Sequence, residues 1–281
     1  MKIWKTYIRP ETSPRLPGRY PSCGLLLCLI CSLAPVPKAG AWSAPGENFN
    51  SELRLGGPVY SSLNPWRWKL MRGETGVSLI AADRISRDDG QMWSGLLKSQ
   101  PLLLGKTSST TPAGREGLAP RVSYSHNMLD SVLNWLADGI GEVRLPVYED
   151  TDPASVVGAL SFRLQAGMLL SHVEEGRAMY AGVYNDLPDN GLPPQSKTVV
   201  PDRLAPMLCS LFVGESPNWL CATAGVVKHE IPLSRLTDSS LRQIQGVYAA
   251  TIIAGSGELF IREKKMLSRW KTTLTVSIEY Q

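Results

Sequence analysis

Catalysis requires particular residue types at particular spacings, and this chain offers few such sets. Its histidines His126, His172 and His229 share no helix face and no metal-ligand spacing, so each is read as a surface or packing residue. The stretch "LLLGKTSS" at 102–109 ends like a phosphate-cradling loop. Such a loop needs a glycine five residues before Gly105, where Gln100 stands, and the match is chance. Serines lie near glycines in "GVSLIAADR" and "VGESPN", without the Gly-x-Ser-x-Gly elbow of hydrolases. The acidic runs Asp88-Asp89, Glu149-Asp150-Thr151-Asp152 and Glu174-Glu175 stand in turn-like surroundings. They read as solvated loops rather than acid/base pairs. Trp93, Trp135 and Trp219 could stack on sugars, although aromatic side chains in a β protein mostly build its core. No catalytic residue, metal or cofactor is expected, and the chain is not read as an enzyme.

The cysteines point to a compartment rather than a reaction. Three of the five, Cys23, Cys28 and Cys31, lie in a leader with a long basic start and the apolar run "GLLLCLICSLAPVP". Small residues at Ala39 and Ala41 predict cleavage between Ala41 and Trp42, making 1–41 a signal peptide. Its apolar core falls short of the roughly 20 residues a membrane span needs. Cys209 and Cys221 remain in an oxidising space and are expected to form one disulfide, at about 3 kcal/mol for a loop of that length. His229 is the only imidazole near them, so a metal site is a poor reading. Six of the 29 basic residues and one of the 25 acidic residues leave with the leader. The mature chain is therefore near neutral and has no global charge for binding nucleic acid.

The elements that would position any site are mostly short strands. Trp66, Trp68 and Leu70 recur at period two, "VRLPVYE" alternates around Pro146, and Leu160, Phe162 and Leu164 line the apolar face of 154–169. Pro146 predicts an edge or a bulge. The stretches "YAATIIAG" and "GELFIREK" read as a hairpin across Gly-Ser-Gly. Two segments read as helices: "PDRLAPMLCSLF", with Leu204, Met207, Leu208 and Leu211 on one face, and "TDSSLRQIQGVY", with Leu241, Ile244 and Tyr248. The segment "NMLDSVLNWLADGIGEV" fits either type. Short strands separated by Gly, Pro, Asn and Ser predict a mainly β, immunoglobulin-like sandwich with a small, partly helical insertion.

Both ends of the mature chain alternate. Phe49, Ser51, Leu53 and Leu55 share one face of "NFNSELRLGG". Leu274, Val276, Ile278 and Tyr280 share one face of "TTLTVSIEYQ". An exported sandwich with such ends fits donor-strand assembly, in which a neighbour's extended segment fills a missing strand position.

With these residues in place, the chain resembles the kappa-class chaperone–usher fimbrial subunits, the group that includes the K-antigen pilins of porcine enterotoxigenic Escherichia coli. The matching stretches are "W…FNSELRLGG", "WRWKL", "PLLLGKT…GREGLAPRVSY", "VRLPV", "LSRLTDSSLRQIQGV" and "RWKTTLTVSIEYQ", in the same order over nearly the whole mature chain. The resemblance implies an incomplete sandwich, a periplasmic chaperone, an outer-membrane usher and neighbouring fimbrial subunits as partners. It also implies transit through the periplasm to a cell-surface fimbrium. Carried over by residue, Phe49, Ser51, Leu53 and Leu55 match the donor strand, and Leu274, Val276, Ile278 and Tyr280 the strand that pairs with chaperone or donor. The implied organisation is a signal peptide 1–41, a donor extension 42–57 and a pilin domain 58–281 with an insertion around 184–248. The cysteine pair and the composition of 184–228 depart from the major adhesive pilin and point to a minor structural subunit that supports adhesion to host surfaces. The alternatives are a lectin-like adhesin reading host glycans near Trp219 or Tyr184, and an exported enzyme.

Overall fold

The computed structural model describes residues 64–281 apart from 71–76, 78, 81, 82, 88, 127–129, 153, 189, 190, 224, 228 and 263–268. The cleavage site at Ala41–Trp42 and the alternating residues Phe49, Ser51, Leu53 and Leu55 lie outside the described residues. In chain order the first strands are β1 (Trp66–Leu70), β2 (Ile85–Arg87), β3 (Gly90–Leu96), β4 (Gln100–Thr107), β5 (Thr111–Ala113) and β6 (Pro120–His126). Next come β7 (Asp130–Ser131), β8 (Leu133–Ala137), β9 (Ile140–Glu149), β10 (Val156–Glu174) and β11 (Arg177–Tyr184). Helices α1 (Pro201–Leu211) and α2 (Asn218–Ala222) precede β12 (His229–Pro232), a 3-10 turn at Leu233–Thr237 and β13 (Arg242–Ile252). The chain then forms β14 (Gly257–Ile261), β15 (Trp270–Lys271) and β16 (Thr275–Tyr280).

The 19-residue β10 is the spine. Along one edge it pairs with β13 through 164–173 and with β14 through 158–161; along the other it pairs with β9 and then β11. β13 continues to β4 and β4 to β1, all antiparallel. A second sheet joins β16, β6 and β7. The run β1-β4-β13-β10 has the order A-B-E-D of an immunoglobulin-like sandwich, and the β6–β16 pair has that of strands C and F. The fold is mainly β and immunoglobulin-like.

Alternation gives the main sheet two apolar faces. Leu103, Met168, Leu170, Tyr248 and Ala250 point into the sandwich with Val122 and Tyr124 of β6. Their neighbours Leu104, Leu169, Val247 and Ala249 point outward, where Leu204, Ala205, Leu208 and Phe212 cover them. The helical insertion therefore shields an outer sheet face. A methyl on Gly167 would come within 2.5 Å of Leu204, so glycine at this position of β10 lets α1 approach.

The structure corrects two expectations. Residues 242–248 are strand, not helix: Ile244 and Tyr248, four apart, share a face in either geometry, and from Gly246 to Ala250 β13 is apolar on both sides because both are buried. Asp238, just before it, accepts a hydrogen bond from the Ser240 amide at 2.8 Å in a local turn. Nor do β13 and β14 form a hairpin. Leu164 faces Ile252 and Ser161 faces Glu258, so the two strands run collinearly along one edge of β10. Gly-Ser-Gly interrupts a strand here; the length of β10 decides the partner. The predicted helix at α1 is present, the ambiguous stretch is β7 to β9, and Pro146 falls where β9 has left β8 and not yet met β15.

Candidate functional site

β16 is a half-covered edge. Its residues Val276, Ile278 and Tyr280 stand opposite Tyr124, Val122 and Pro120 of β6. Val122 is 0% and Tyr124 2% exposed, whereas Leu274, Val276 and Ile278 are only half-buried against the same core. Among the described residues β6 is the only strand paired with β16, so its other edge carries unpaired backbone groups. On the opposite face Glu279 lies 3.8 Å from Arg121.

Across this edge stands β1, whose only strand partner among the described residues is β4. Side chains connect the two edges. The indole N–H of Trp68 donates to the Tyr280 hydroxyl at 2.8 Å, and Tyr280 remains 39% exposed. Trp66 donates to the Leu118 carbonyl at 3.0 Å, while the Gly117 amide donates to the Gln281 carbonyl at 2.8 Å. These bonds tie one end of the gap and leave the floor beneath Val276 and Ile278 partly open.

An aromatic stack backs that floor. Trp66 and Trp68 lie parallel at 5.3 Å, and Trp68 meets Tyr248 edge-on at 5.6 Å. Tyr248 gives its proton to the Gly191 carbonyl at 2.9 Å, which leaves Tyr124 as donor in the 2.8 Å contact between the two hydroxyls. Burial pushes both phenols above the ordinary tyrosine range, so both stay protonated. Gly105 explains part of the phosphate-loop look-alike. A methyl there would run into the Trp68 ring, and Lys106 and Thr107 continue the strand rather than a loop.

Cys209 and Cys221 form the expected disulfide between α1 and α2. Trp219, weighed above as a sugar platform, has its ring stacked on Tyr180 and donates its N–H to Gln245 at 2.8 Å. Trp93 is buried, Trp135 is half-buried against the core and Tyr184 ends β11. Asp150 pairs with Lys271 at 3.3 Å, and Glu174 with Arg235 at 2.9 Å. His126 bonds the Thr273 carbonyl at 2.8 Å and stacks on Tyr148, close to the start of β16. Sequence reasoning missed the approach of His172 to His229 and of Trp68 to Tyr280, because separation along the chain carries no trace of either. No group of three or more metal-ligating side chains occurs among the described residues.

The family described as fimbrial, major and minor subunit, of K88 type, matches residues 24–281. The chain belongs to the K88 fimbrial subunit family. The K88 minor fimbrial subunit FaeI of Escherichia coli is 42% identical over 256 residues, which cover 91% of this chain and 98% of that protein. Fimbrial subunit of the minor type is thus its role, that of a structural protein that assembles with other subunits.

Proposed function

We propose that this minor fimbrial subunit is built one strand short, receives that strand from a neighbouring subunit and lends its own leading segment onward. The observation that carries the reading is the edge of β16 that no strand among the described residues pairs, facing β1 across half-buried Leu274, Val276 and Ile278. A strand laid there would complete the ladder on β16 and send every second side chain to the apolar floor. Phe49, Leu53 and Leu55 have that period, with Ser51 at a shallow position. Each large side chain contributes about 1.5–3 kcal/mol on burial, before the cost of ordering the segment.

An open apolar edge aggregates unless covered. The reading therefore includes a periplasmic chaperone that lends a strand to Leu274, Val276, Ile278 and Tyr280, and an outer-membrane usher where the lent strand is exchanged. It takes 1–41 as the exported chain's signal peptide, cut between Ala41 and Trp42, 42–57 as the donor extension and 58–281 as the pilin domain with its insertion around 184–248. The finished fimbrium sits on the cell surface and supports attachment to host surfaces, without a catalytic step.

Deleting residues 42–56 separates giving from receiving. The shortened subunit should still form a one-to-one chaperone complex by native mass spectrometry and fail to enter the groove of another subunit. Normal incorporation into fimbriae would end the reading. Ile278→Asp places a charge on the groove floor and should abolish the chaperone complex.

A further inference from the structure

His172 of β10 is 1% exposed, and neither of its ring nitrogens has a hydrogen-bond partner among the described residues. Glu174, on the same face of the strand, holds a carboxylate oxygen 3.8 Å from Nε2, beyond hydrogen-bond reach. That carboxylate is already engaged by Arg235 of the 3-10 turn at 2.9 Å, and Arg235 also holds Asp238 at 2.8 Å. From β12, the ring of His229 meets His172 edge-on at 6.5 Å. On β11, Met179 stands opposite His172 and Arg177 opposite Glu174.

The backbone is irregular at the same place. Pairing between β10 and β13 shifts between Ser171 and Val173, with Arg242 opposite Val173 and Gln243 at φ 49°. A bulge of this kind re-aims a side chain, and here it accompanies an imidazole buried without a hydrogen-bond partner among the described residues. An apolar residue would fill that position without leaving two orphaned nitrogens.

We propose that His172 is an acid-sensitive joint, which holds β12 and the following turn on β10 and β11 while neutral and releases them when protonated. A proton on the ring gains from Glu174 and loses to Arg235 and His229, in a site closed to solvent. The charged ring is accommodated once β12 and the turn lift and admit solvent. Burial is the chief cause that lowers the pKa of His172 in the folded chain; His229 and Arg235 lower it further, and Glu174 opposes them. The opened state thus binds the proton more readily. The closed joint has its full stability above about pH 6.5 and loses it as the pH falls below that. Because β12 and the turn carry the chain back from α1 and α2, acid loosens the anchor of the insertion. It leaves the β6–β16 edge, built from other strands, in place.

Hydrogen exchange read by mass spectrometry on the full mature chain in isolated fimbriae tests this. Corrected for intrinsic rates, exchange over 229–237 should rise about tenfold between pH 7.5 and pH 5.0, while 274–281 stays level. His172→Leu should remove the rise, as should His172→Gln, which keeps a polar, uncharged side chain should the leucine variant fail to assemble. A flat response in the wild-type chain, or an undiminished rise in the variants, overturns the proposal.

Discussion

Replacing Cys209 and Cys221 with serine isolates what the disulfide contributes to the insertion. Helix α1 has 11 residues with Pro206 inside it, and α2 has 5, with no side-chain cap on either. Both are shorter than the 12–15 residues at which isolated helices become marginal, so they persist through packing and the cross-link. The bond closes a loop with a sequence separation of 12. Chain entropy then assigns it about 3 kcal/mol. In a domain of this size, 1 kcal/mol moves Tm by roughly 2–4 °C, so the double variant should melt roughly 6–12 °C lower. The assay is thermal unfolding of a subunit whose residues 42–57 are repeated behind Gln281 on a flexible linker, followed by near-ultraviolet dichroism and by the fluorescence of Trp219. Reductant should bring the parent protein to the variant's Tm and leave the variant unmoved. A shift under about 2 °C would refute the argument, because the packing of Leu204, Leu208 and Phe212 on the sheet would then suffice alone.

Other positions give equally direct outcomes. Gly105→Ala puts a methyl into the Trp68 ring and should cost about 1–3 kcal/mol, with a red shift in tryptophan emission, measured by urea unfolding. Tyr248→Phe orphans both the Tyr124 hydroxyl and the Gly191 carbonyl and should cost about 1–3 kcal/mol. Adding Tyr124→Phe should recover part of that loss, a coupling that a double-mutant cycle measures. Tyr280→Phe removes the acceptor for Trp68 at the tied end of the gap. Stability should change by less than about 1 kcal/mol, whereas uptake of a synthetic 42–57 peptide by the chaperone-bound subunit should quicken about threefold to tenfold in native mass spectrometry.

Legibility in the sequence followed burial. Where one face of an element is covered, the pattern is plain: Leu160, Phe162 and Leu164 on β10, Val276 and Ile278 on β16, Leu204 and Leu208 on α1. β13 is covered on both faces, by the sandwich core and by the insertion, so no polar residue marks a period along most of it. There the spacing of Ile244 and Tyr248 reads as a helix that does not exist.

By itself the sequence determined the local preferences: which stretches alternate, where glycine and proline interrupt them, that Cys209 and Cys221 are close enough along the chain to pair, and which family the whole order of motifs resembles. Only the tertiary structure decided the partners. β14 continues along β10 because a 19-residue strand has an edge left over beyond β13. Trp68 reaches Tyr280 across 212 residues, and His172 meets His229, because neighbouring sheets and strands bring them together. Periodicity records which face of an element is apolar, and says nothing about which other element will cover it.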